Sequence, residues 1–259
     1  MNLHLQIARI SLFTLLTREV QRFMRIWTQT LLPPAITMGL YFLIFGKFIG
    51  SQIRQIEGYS YIQYIVPGLV MMSIMTNAYS NTSSSFFLTK FNKSIEEMLV
   101  SPMPNLIILL GFSLGGMIRG VLIGMIVMLI SLLFTSVTLQ HLWIVISMAI
   151  LSAMVFSLGG LINAIYAKRF DDISFIPTFL LTPLTYLGGV FFSIQQLSPG
   201  WRKVAAFNPI LAMVDTFRYG VLGISDLSIT WGFTLVSLMF IVLFVWGWWL
   251  LQKGVGVKV

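Results

Sequence analysis

Cysteine is absent from this sequence of 259 residues, and charged residues make up only 9% of it. Without cysteine the chain has no disulfide framework, no thiol nucleophile and no cysteine-based metal site. Soluble domains carry roughly a quarter charged residues, so a chain with so few cannot present a water-compatible surface on all sides. Together with a mean hydropathy of +0.91, these shortages predict an integral membrane protein with one membrane domain over residues 1–259.

Motifs of the common enzyme classes are missing or misplaced. No G-x-x-x-x-G-K-[ST] motif is present, so we expect the chain to hydrolyse no ATP through a P-loop. Metal-binding clusters of His and carboxylate are also absent from the sequence, so no cofactor or metal is expected on this chain. The G-x-S-x-G pattern at residues 111–115 lies in an apolar helix, far from His4 and His141, which argues against an intramembrane serine protease.

Six apolar segments are long enough to cross a bilayer, which needs about 20 apolar residues in a helix. Backbone groups in lipid must pair within their own segment, so each should be α-helical. The segments are 30–49, 61–87, 106–134, 142–167, 173–192 and 229–251. The sequence therefore predicts an all-α membrane protein with six transmembrane helices.

The distribution of basic residues predicts the orientation. Ten would lie on the side of the two termini (Arg9, Arg18, Arg22, Arg25, Lys90, Lys93, Lys168, Arg169, Lys253 and Lys258), and five on the other (Lys47, Arg54, Arg202, Lys203 and Arg218). Cytoplasmic loops carry an excess of Lys and Arg. We therefore expect a protein of the inner membrane with both termini on its cytoplasmic side. The same bias accounts for the net charge of +8 without a nucleic-acid partner.

Residues 8–28 have the pattern of an amphipathic helix. Arg18, Arg22 and Arg25 recur at helical spacing on one face, and apolar residues occupy another. This combination is typical of a helix that lies in the membrane interface. Two interpretations stay open: a lipid anchor alone, or an anchor whose basic face also contacts a cytoplasmic partner.

Polar side chains mark the second and fifth predicted spans. The second has Ser73, Asn77, Asn81 and nearby serines along a helical face, and the fifth, expected to be kinked at Pro177 and Pro183, has Thr178, Thr182 and Tyr186. Polar groups at membrane depth favour a neighbouring helix or a wet cavity over lipid. These six residues are candidates for a substrate path, with helix packing alone as the alternative.

Two further segments depart from a simple span. Arg119 lies among closely spaced glycines of the third span, and a charge there needs a partner that the sequence does not identify. Residues 193–228 are too long for a hairpin and too apolar for a free loop. Because Asp215 and Arg218 lie three apart in a helical pattern there, we expect a re-entrant or interfacial helix before the last span.

A short charged helix is predicted at residues 93–102, between the second and third spans. Ser94 and Glu97 have the spacing of a capping box, and Pro102 would stop the helix after barely two turns. Helices this short are marginal in water, so something should hold it in place. The preferred interpretation is a helix that docks into a cytoplasmic partner through Ile95, Met98 and Leu99; a plain connecting loop is the alternative.

The order of these parts resembles the permease subunit of type-2 ABC exporters (the ABC-2 family). The stretches that carry the resemblance are IEEMLVSPMP from Ile95, PLTYLGGVFFSIQQL from Pro183 and FNPILAMVDTFRYG from Phe207. The resemblance implies a homodimer with two separate subunits that bind ATP and Mg. It also implies that the second and fifth spans line a path at the dimer seam, for an exported amphiphilic, lipid, saccharide or drug-like substrate.

The same resemblance implies a coupling helix at Ser94–Val100, seated in an ATPase cleft with the N-terminal helix beside it. The candidate coupling residues are Ser94, Ile95, Glu96, Glu97, Met98, Leu99, Arg18, Arg22 and Arg25. The competing hypothesis is an ion-coupled secondary transporter that needs no ATPase. Such transporters usually carry carboxylates within the membrane, whereas none of the eight acids here lies in the middle of a predicted span, although Asp215 could dip inward.

Overall fold

The computed structural model describes residues 3–50, 52 and 55–256, and this part of the chain is built from helices. The α-helices are α1 Leu3–Arg25, α2 Trp27–Thr30, α3 Leu32–Tyr41, α4 Tyr61–Phe91, α5 Ser94–Val100, α6 Asn105–Ser131, α7 Leu142–Tyr166, α8 Phe170–Ile176, α9 Thr182–Tyr186, α10 Pro199–Ala206, α11 Pro209–Leu222 and α12 Ile229–Lys253. The predicted all-α class is confirmed. Arg54, Lys258 and the side chains of His4 and Lys47, which entered the sequence arguments, lie outside the described residues.

Two stretches have the wider turns of a π-helix, and both interrupt predicted spans. Phe42–Ile49 continues α3, and Pro177–Leu181 joins α8 to α9. Pro177 and Pro183 each lack a backbone N–H, which prevents a regular α-helical ladder through the second stretch. The fifth predicted span is therefore a chain of three short pieces rather than one helix.

Four helices are long and apolar enough to cross a membrane: Trp27–Gly46, Asn105–Ser131, Leu142–Tyr166 and Ile229–Lys253. They correspond to the first, third, fourth and sixth predicted spans. α4 has 31 residues, or about 46 Å at 1.5 Å per residue, but its second half is rich in Ser, Thr and Asn. That six segments cross the membrane stays a prediction.

α4 is the central helix, because α6, α7 and α11 all pack against it. Glycines allow the close approach of α6: a Cβ atom at Gly120 would lie 2.7 Å from the carbonyl oxygen of Ile74. Small residues at helical spacing are typical of surfaces where two helices approach closely. α1 lies along α6 in the same way, with Leu15 over Gly111 and Glu19 over Gly115.

The bundle has two distinct ends. The end that holds α5, termed the α5 end below, also holds the start of α6 and the end of α7. There Lys90 Nζ donates to the carbonyl oxygens of Ile165 at 2.6 Å and Ala167 at 2.8 Å. At the opposite end, termed the α11 end, His141 N donates to Gly220 O at 2.8 Å and joins α7 to α11.

The segment predicted to be re-entrant, 193–228, contains α10 and α11. α11 is the more deeply placed of the two: twelve of its residues are buried. Asn208 caps it through a hydrogen bond from Ile210 N, and Gly223 ends it with a φ of 76°. A helix so enclosed packs as part of the bundle, and whether it enters the membrane from one side stays a prediction.

Candidate functional site

α5 is fixed to the body of the protein by one side chain. Ile95 is only 1% exposed and packs into a cluster of buried residues from α4, α6 and α7. Met98 and Leu99 lie half-buried against the same cluster. The apolar ridge expected to enter a partner is therefore used mainly to attach α5 to its own chain.

The outward surface of α5 is acidic. Glu96 and Glu97 are exposed, and within the described part of the chain their carboxylates make no hydrogen bond or ion pair. Val100 beside them is 89% exposed. This surface can offer two free carboxylates and one apolar contact to another protein.

The ends of α5 differ in how well the sequence predicted them. The helix stops at Val100, where extended Ser101 precedes Pro102, as expected. The capping-box prediction was wrong, because Lys93 precedes the helix with a φ of 61° and no side chain caps the first turn. A left-handed residue after α4 allows the chain to turn sharply into α5.

Two of the three arginines proposed as ATPase contacts point toward α4 instead. Arg18 donates to Thr89 Oγ1 at 3.0 Å, and Arg22 donates to Asn81 Oδ1 at 2.8 Å. Arg25 is exposed and has no hydrogen-bond partner among the described residues. In this conformation Arg25 is free to meet another subunit, and exposed Arg18 has further N–H donors besides the one bound to Thr89.

Glu19 is the functional candidate that the sequence interpretation missed. It is the only acidic residue before Glu57, and its side chain is fully buried between α1, α4 and α6. Its carboxylate accepts hydrogen bonds from Ser85 Oγ at 2.7 Å and Arg22 at 3.2 Å. The signal available in the sequence was a lone acid three residues before an arginine on one helix face.

Arg119, whose partner the sequence did not identify, completes this group. It donates to Asn81 Oδ1 at 3.3 Å and to the carbonyl oxygen of Thr30 at 3.2 Å. We call Glu19, Arg22, Asn81, Ser85 and Arg119 the Glu19 cluster. With one glutamate and two arginines it carries a formal charge of +1, and it ties α1, α4 and α6 together.

The predicted substrate-path residues of α4 are buried rather than exposed. Asn81 belongs to the Glu19 cluster, Ser73 donates to Leu69 O at 2.9 Å, and Asn77 donates to Ser73 O at 2.9 Å. The Ser73 hydroxyl, the Asn77 amide nitrogen and the Asn81 side-chain oxygen thus have partners within the bundle, whereas the buried Asn81 amide nitrogen has none among the described residues. The face of α4 that does reach the surface is a narrow stripe one residue away, formed by Thr76, Ser80 and Ser84.

A cleft of about 70 Å³ lies where this stripe meets the fifth predicted span. Thr76 and Ser80 line one side of it, and Thr182 and Tyr186 line the other. Thr178 is exposed on the same segment. Of the six predicted path residues, the structure thus brings Thr182 and Tyr186 together at one cleft.

Asp215 and Arg218 form a second buried group, at the α11 end. Asp215 accepts hydrogen bonds from the backbone N–H groups of Asp226 and Leu227, both at 2.9 Å. Arg218 lies 3.7 Å from Asp215, donates to Gly189 O and stacks over the Tyr64 ring at 4.1 Å. We call Tyr64, Asp215 and Arg218 the Asp215 cluster. An ion-coupled mechanism would need a carboxylate such as that of Asp215 to bind its ion, but this carboxylate is already bound by two backbone N–H groups and lies beside Arg218.

One residue near the α5 end has a shifted pKa with a clear cause. Asp172 accepts hydrogen bonds from the backbone N–H groups of Lys168 at 2.8 Å and Arg169 at 2.9 Å, which lower the pKa of its carboxyl. A charged carboxylate at the start of a short helix satisfies donors that would otherwise lack partners. Asp172 therefore fixes the point at which the fifth predicted span begins.

Most of the chain is similar to a known protein family. Residues 10–222, from α1 to the end of α11, match the family model described as ABC-2 type transporter. The chain belongs to this family. The resemblance stated from the sequence is thus confirmed, and the chain belongs to a family of transport permeases.

Individual relatives agree with the assignment to the ABC-2 family. The chain is 48% identical over 250 residues to the inner membrane transport permease YadH of Escherichia coli K12, which covers 96% of this chain and 97% of that protein. The protein of the same name in Shigella flexneri gives the same values. Nodulation protein J of Rhizobium leguminosarum bv. viciae is 22% identical over 185 residues, or 71% of each chain.

Proposed function

We propose that this ABC-2 permease crosses the inner membrane six times, with both termini in the cytoplasm, and works as a homodimer driven by separate ATPase subunits. Family membership and the four long apolar helices support the membrane topology. α4 is long enough to cross a hydrocarbon core of about 30 Å, and the pieces from α8 to α9 supply the fifth crossing. The inner membrane follows from the name of the E. coli relative.

The observation that carries the proposal is the surface of α5. This helix follows α4 after two residues and precedes α6 by four, so it connects the central helix α4 to α6. Ile95 fixes it to the core, while Glu96, Glu97 and Val100 are free. A partner ATPase that holds this surface can move α4 and α6 together when ATP binding closes it.

The surface stripe of α4 supports a path for an amphiphilic substrate. Thr76, Ser80 and Ser84 would face lipid in a single copy, where hydroxyl groups are disfavoured. A second copy of the chain against this stripe would place the cleft with Thr182 and Tyr186 at the seam. Hydroxyl groups beside aromatic and apolar side chains suit a substrate with both polar and apolar parts, moved outward by alternating access.

The ion-coupled secondary transporter is the weaker proposal. Its required carboxylate would be Glu19 or Asp215, and both already accept two hydrogen bonds and lie beside an arginine. A carboxylate so satisfied has no free oxygen surface for a transported cation. The two mechanisms differ in one requirement, the presence of an ATPase.

Copurification tests the proposal directly. We expect the full-length chain to bring down a P-loop ATPase without a crosslinker, and to stimulate it in vesicles. Glu97→Lys should reduce the copurified ATPase at least tenfold, while Glu57→Lys at the α11 end should leave it unchanged. Substrate transport by vesicles that hold the permease alone would overturn the proposal, and so would undiminished ATPase binding by Glu97→Lys.

A further inference from the structure

A cavity of about 290 Å³ lies between α7, α12 and the π-helical segment, near the α5 end of the bundle. Its walls are almost entirely apolar, with Val155, Ile162, Leu181 and Met239 among them. No Asp, Glu, Lys or Arg lines it, which disfavours an ion or a charged ligand. We call it the Tyr79 cavity.

Tyr79 supplies the polar atom that points to a ligand. The residue is 3% exposed and lines the cavity, and its buried hydroxyl lies beside the Asn163 side chain but forms no hydrogen bond of normal length in the part of the chain that the structure describes. An unsatisfied buried hydroxyl costs about 1–3 kcal/mol, so native proteins rarely keep one without a partner. A hydrogen-bond acceptor is therefore the missing component of this cavity.

Water alone does not meet that need. A volume of 290 Å³ would hold several water molecules, and each needs two to four polar partners to be stable. The polar side chains of the lining are Tyr79, Asn163 and, at one end, Tyr166 and Trp246, and the Asn163 amide already donates to Ile173 O at 3.0 Å. Cavities with such apolar walls stay dry and accept apolar molecules instead.

The position of the cavity relates it to the bilayer. Tyr166 and Trp246 flank one end of it, with ring centroids 6.3 Å apart and both residues about half exposed. Aromatic pairs of this kind mark the level where lipid headgroups begin. From Tyr166 to Val155, α7 runs about 16 Å at 1.5 Å per residue, so the cavity extends from that level into the apolar core.

We propose that the Tyr79 cavity binds one acyl chain of a membrane phospholipid, with the ester carbonyl of that chain accepting a hydrogen bond from the Tyr79 hydroxyl. The apolar walls match the hydrocarbon, and the buried Tyr79 hydroxyl is a donor for the carbonyl acceptor at the head of the chain. Tyr79 and Leu181 also line the transport cleft, so the lipid would support the wall between bilayer and cleft. This proposal requires a membrane protein but no ATP-driven transport.

Photocrosslinking tests the site. The purified full-length chain is placed in nanodiscs of phosphatidylethanolamine and phosphatidylglycerol that contain a phospholipid with a diazirine in its acyl chain. After irradiation, adducts are mapped by peptide mass spectrometry. We expect adducts on cavity residues of α7 at several times the frequency found on Leu238, Ile241 and Val245, which are more than half exposed on α12 and report ordinary bilayer contact.

Two variants make the test specific. Gly159→Leu should fill the cavity, since a Cβ atom there would already lie 3.9 Å from the Tyr79 ring, and reduce the α7 adducts at least tenfold. Tyr79→Phe should reduce them several-fold by removing the donor alone. Tyr64→Phe removes another buried hydroxyl without a partner, at the α11 end, and should leave the adducts unchanged.

Folding and substrate effects are separable from lipid binding. In lipid-free detergent, Tyr79→Phe should unfold at the same temperature as the original chain or higher, because it removes an unsatisfied group. Equal labelling of α7 and exposed α12 would overturn the proposal, as would unchanged labelling in both variants. Adducts that disappear when ATPase and ATP are added would identify a transported amphiphile instead of a resident phospholipid, which also overturns it.

Discussion

The pairs Glu19–Arg22, in the half of the bundle nearer α5, and Asp215–Arg218, at the α11 end, both join an acid to an arginine three residues later on one helix. Their surroundings differ. The Arg218 side chain is 1% exposed, whereas that of Arg22 is 27% exposed. Asp215 is held by two backbone N–H groups of the loop before α12, while Glu19 is held by side chains of α1 and α4 only.

This difference separates a fixed end from an adjustable one. Backbone donors cannot change rotamer, so the Asp215 cluster keeps α11 and the following loop in one arrangement. Side chains can exchange partners, and in the Glu19 cluster two arginines already share the one oxygen of Asn81. A small shift of α1 against α4 can therefore be accommodated at the α5 end, where the proposed ATPase acts.

The largest effect should come from removing Arg218. Arg218→Met would leave Asp215 buried without its counter-charge and remove the contact with Tyr64, and breaking a buried pair in this way costs about 3–5 kcal/mol. Thermal unfolding in detergent measures the loss, with Lys203→Met on exposed α10 as the control. A loss no larger than that of the control would show that the α11 end is not fixed by this pair.

Glu19→Gln should cost less, about 1–3 kcal/mol, because Arg22 is partly solvated and Gln can still accept a hydrogen bond from Ser85. The double variant Glu19→Gln with Arg22→Gln should recover part of the loss, since it removes the excess positive charge. Unfolding temperatures of the two single variants and the double variant give the coupling energy. Purely additive losses would contradict an electrostatic role for the pair.

Gly115→Ala tests whether α1 depends on close contact with α6 as well as on charge. The new Cβ atom would lie 2.7 Å from Glu19 Cβ, so α1 must move, at a cost of about 1–2 kcal/mol. Gly39→Ala is the matched control, because its Cβ atom would meet nothing closer than 4.0 Å. If both variants unfold at the same temperature, the Glu19 cluster alone holds α1 in place.

The smallest effects on stability should come from single cysteines on α4, between the two clusters. Because the chain contains no cysteine, each introduced cysteine is the only thiol that a maleimide can label. We expect Thr76→Cys and Ser80→Cys to react with a membrane-permeant maleimide and Ser73→Cys to resist it. At the exposed positions, Thr76 and Ser80, the substitution should change the free energy of unfolding by less than about 0.5 kcal/mol. Rapid labelling at Ser73→Cys would show instead that the helix face predicted from the sequence, with Ser73, Asn77 and Asn81, is the accessible one.

The sequence predicted long apolar helices well, because a continuous hydrophobic run has one stable structure in a membrane. α7 and α12 begin at Leu142 and Ile229, the residues expected. The two prolines of the fifth span indicated a kink, but they did not indicate the π-helical stretch Pro177–Leu181. α5 was located, but its buried face was assigned to a partner.

The candidate site was harder to predict for a definite reason. Helical periodicity shows which side chains share a face, but it does not show which neighbour that face meets. Arg18 and Arg22 were therefore assigned to another subunit, although they donate to Thr89 and Asn81 of the same chain. The Ser73 hydroxyl donates a hydrogen bond within its own helix, so it needs no partner outside that helix. A polarity scale does not report such a bond.

Lys90 joins the end of α4 to the end of α7, close to the start of α5. Its ammonium group covers carbonyl oxygens that the end of α7 would otherwise leave unpaired, and its positive charge complements the negative end of the α7 dipole. α5 begins only four residues later, at Ser94. We therefore expect a displacement of α5 to move the adjoining ends of α4 and α7 together.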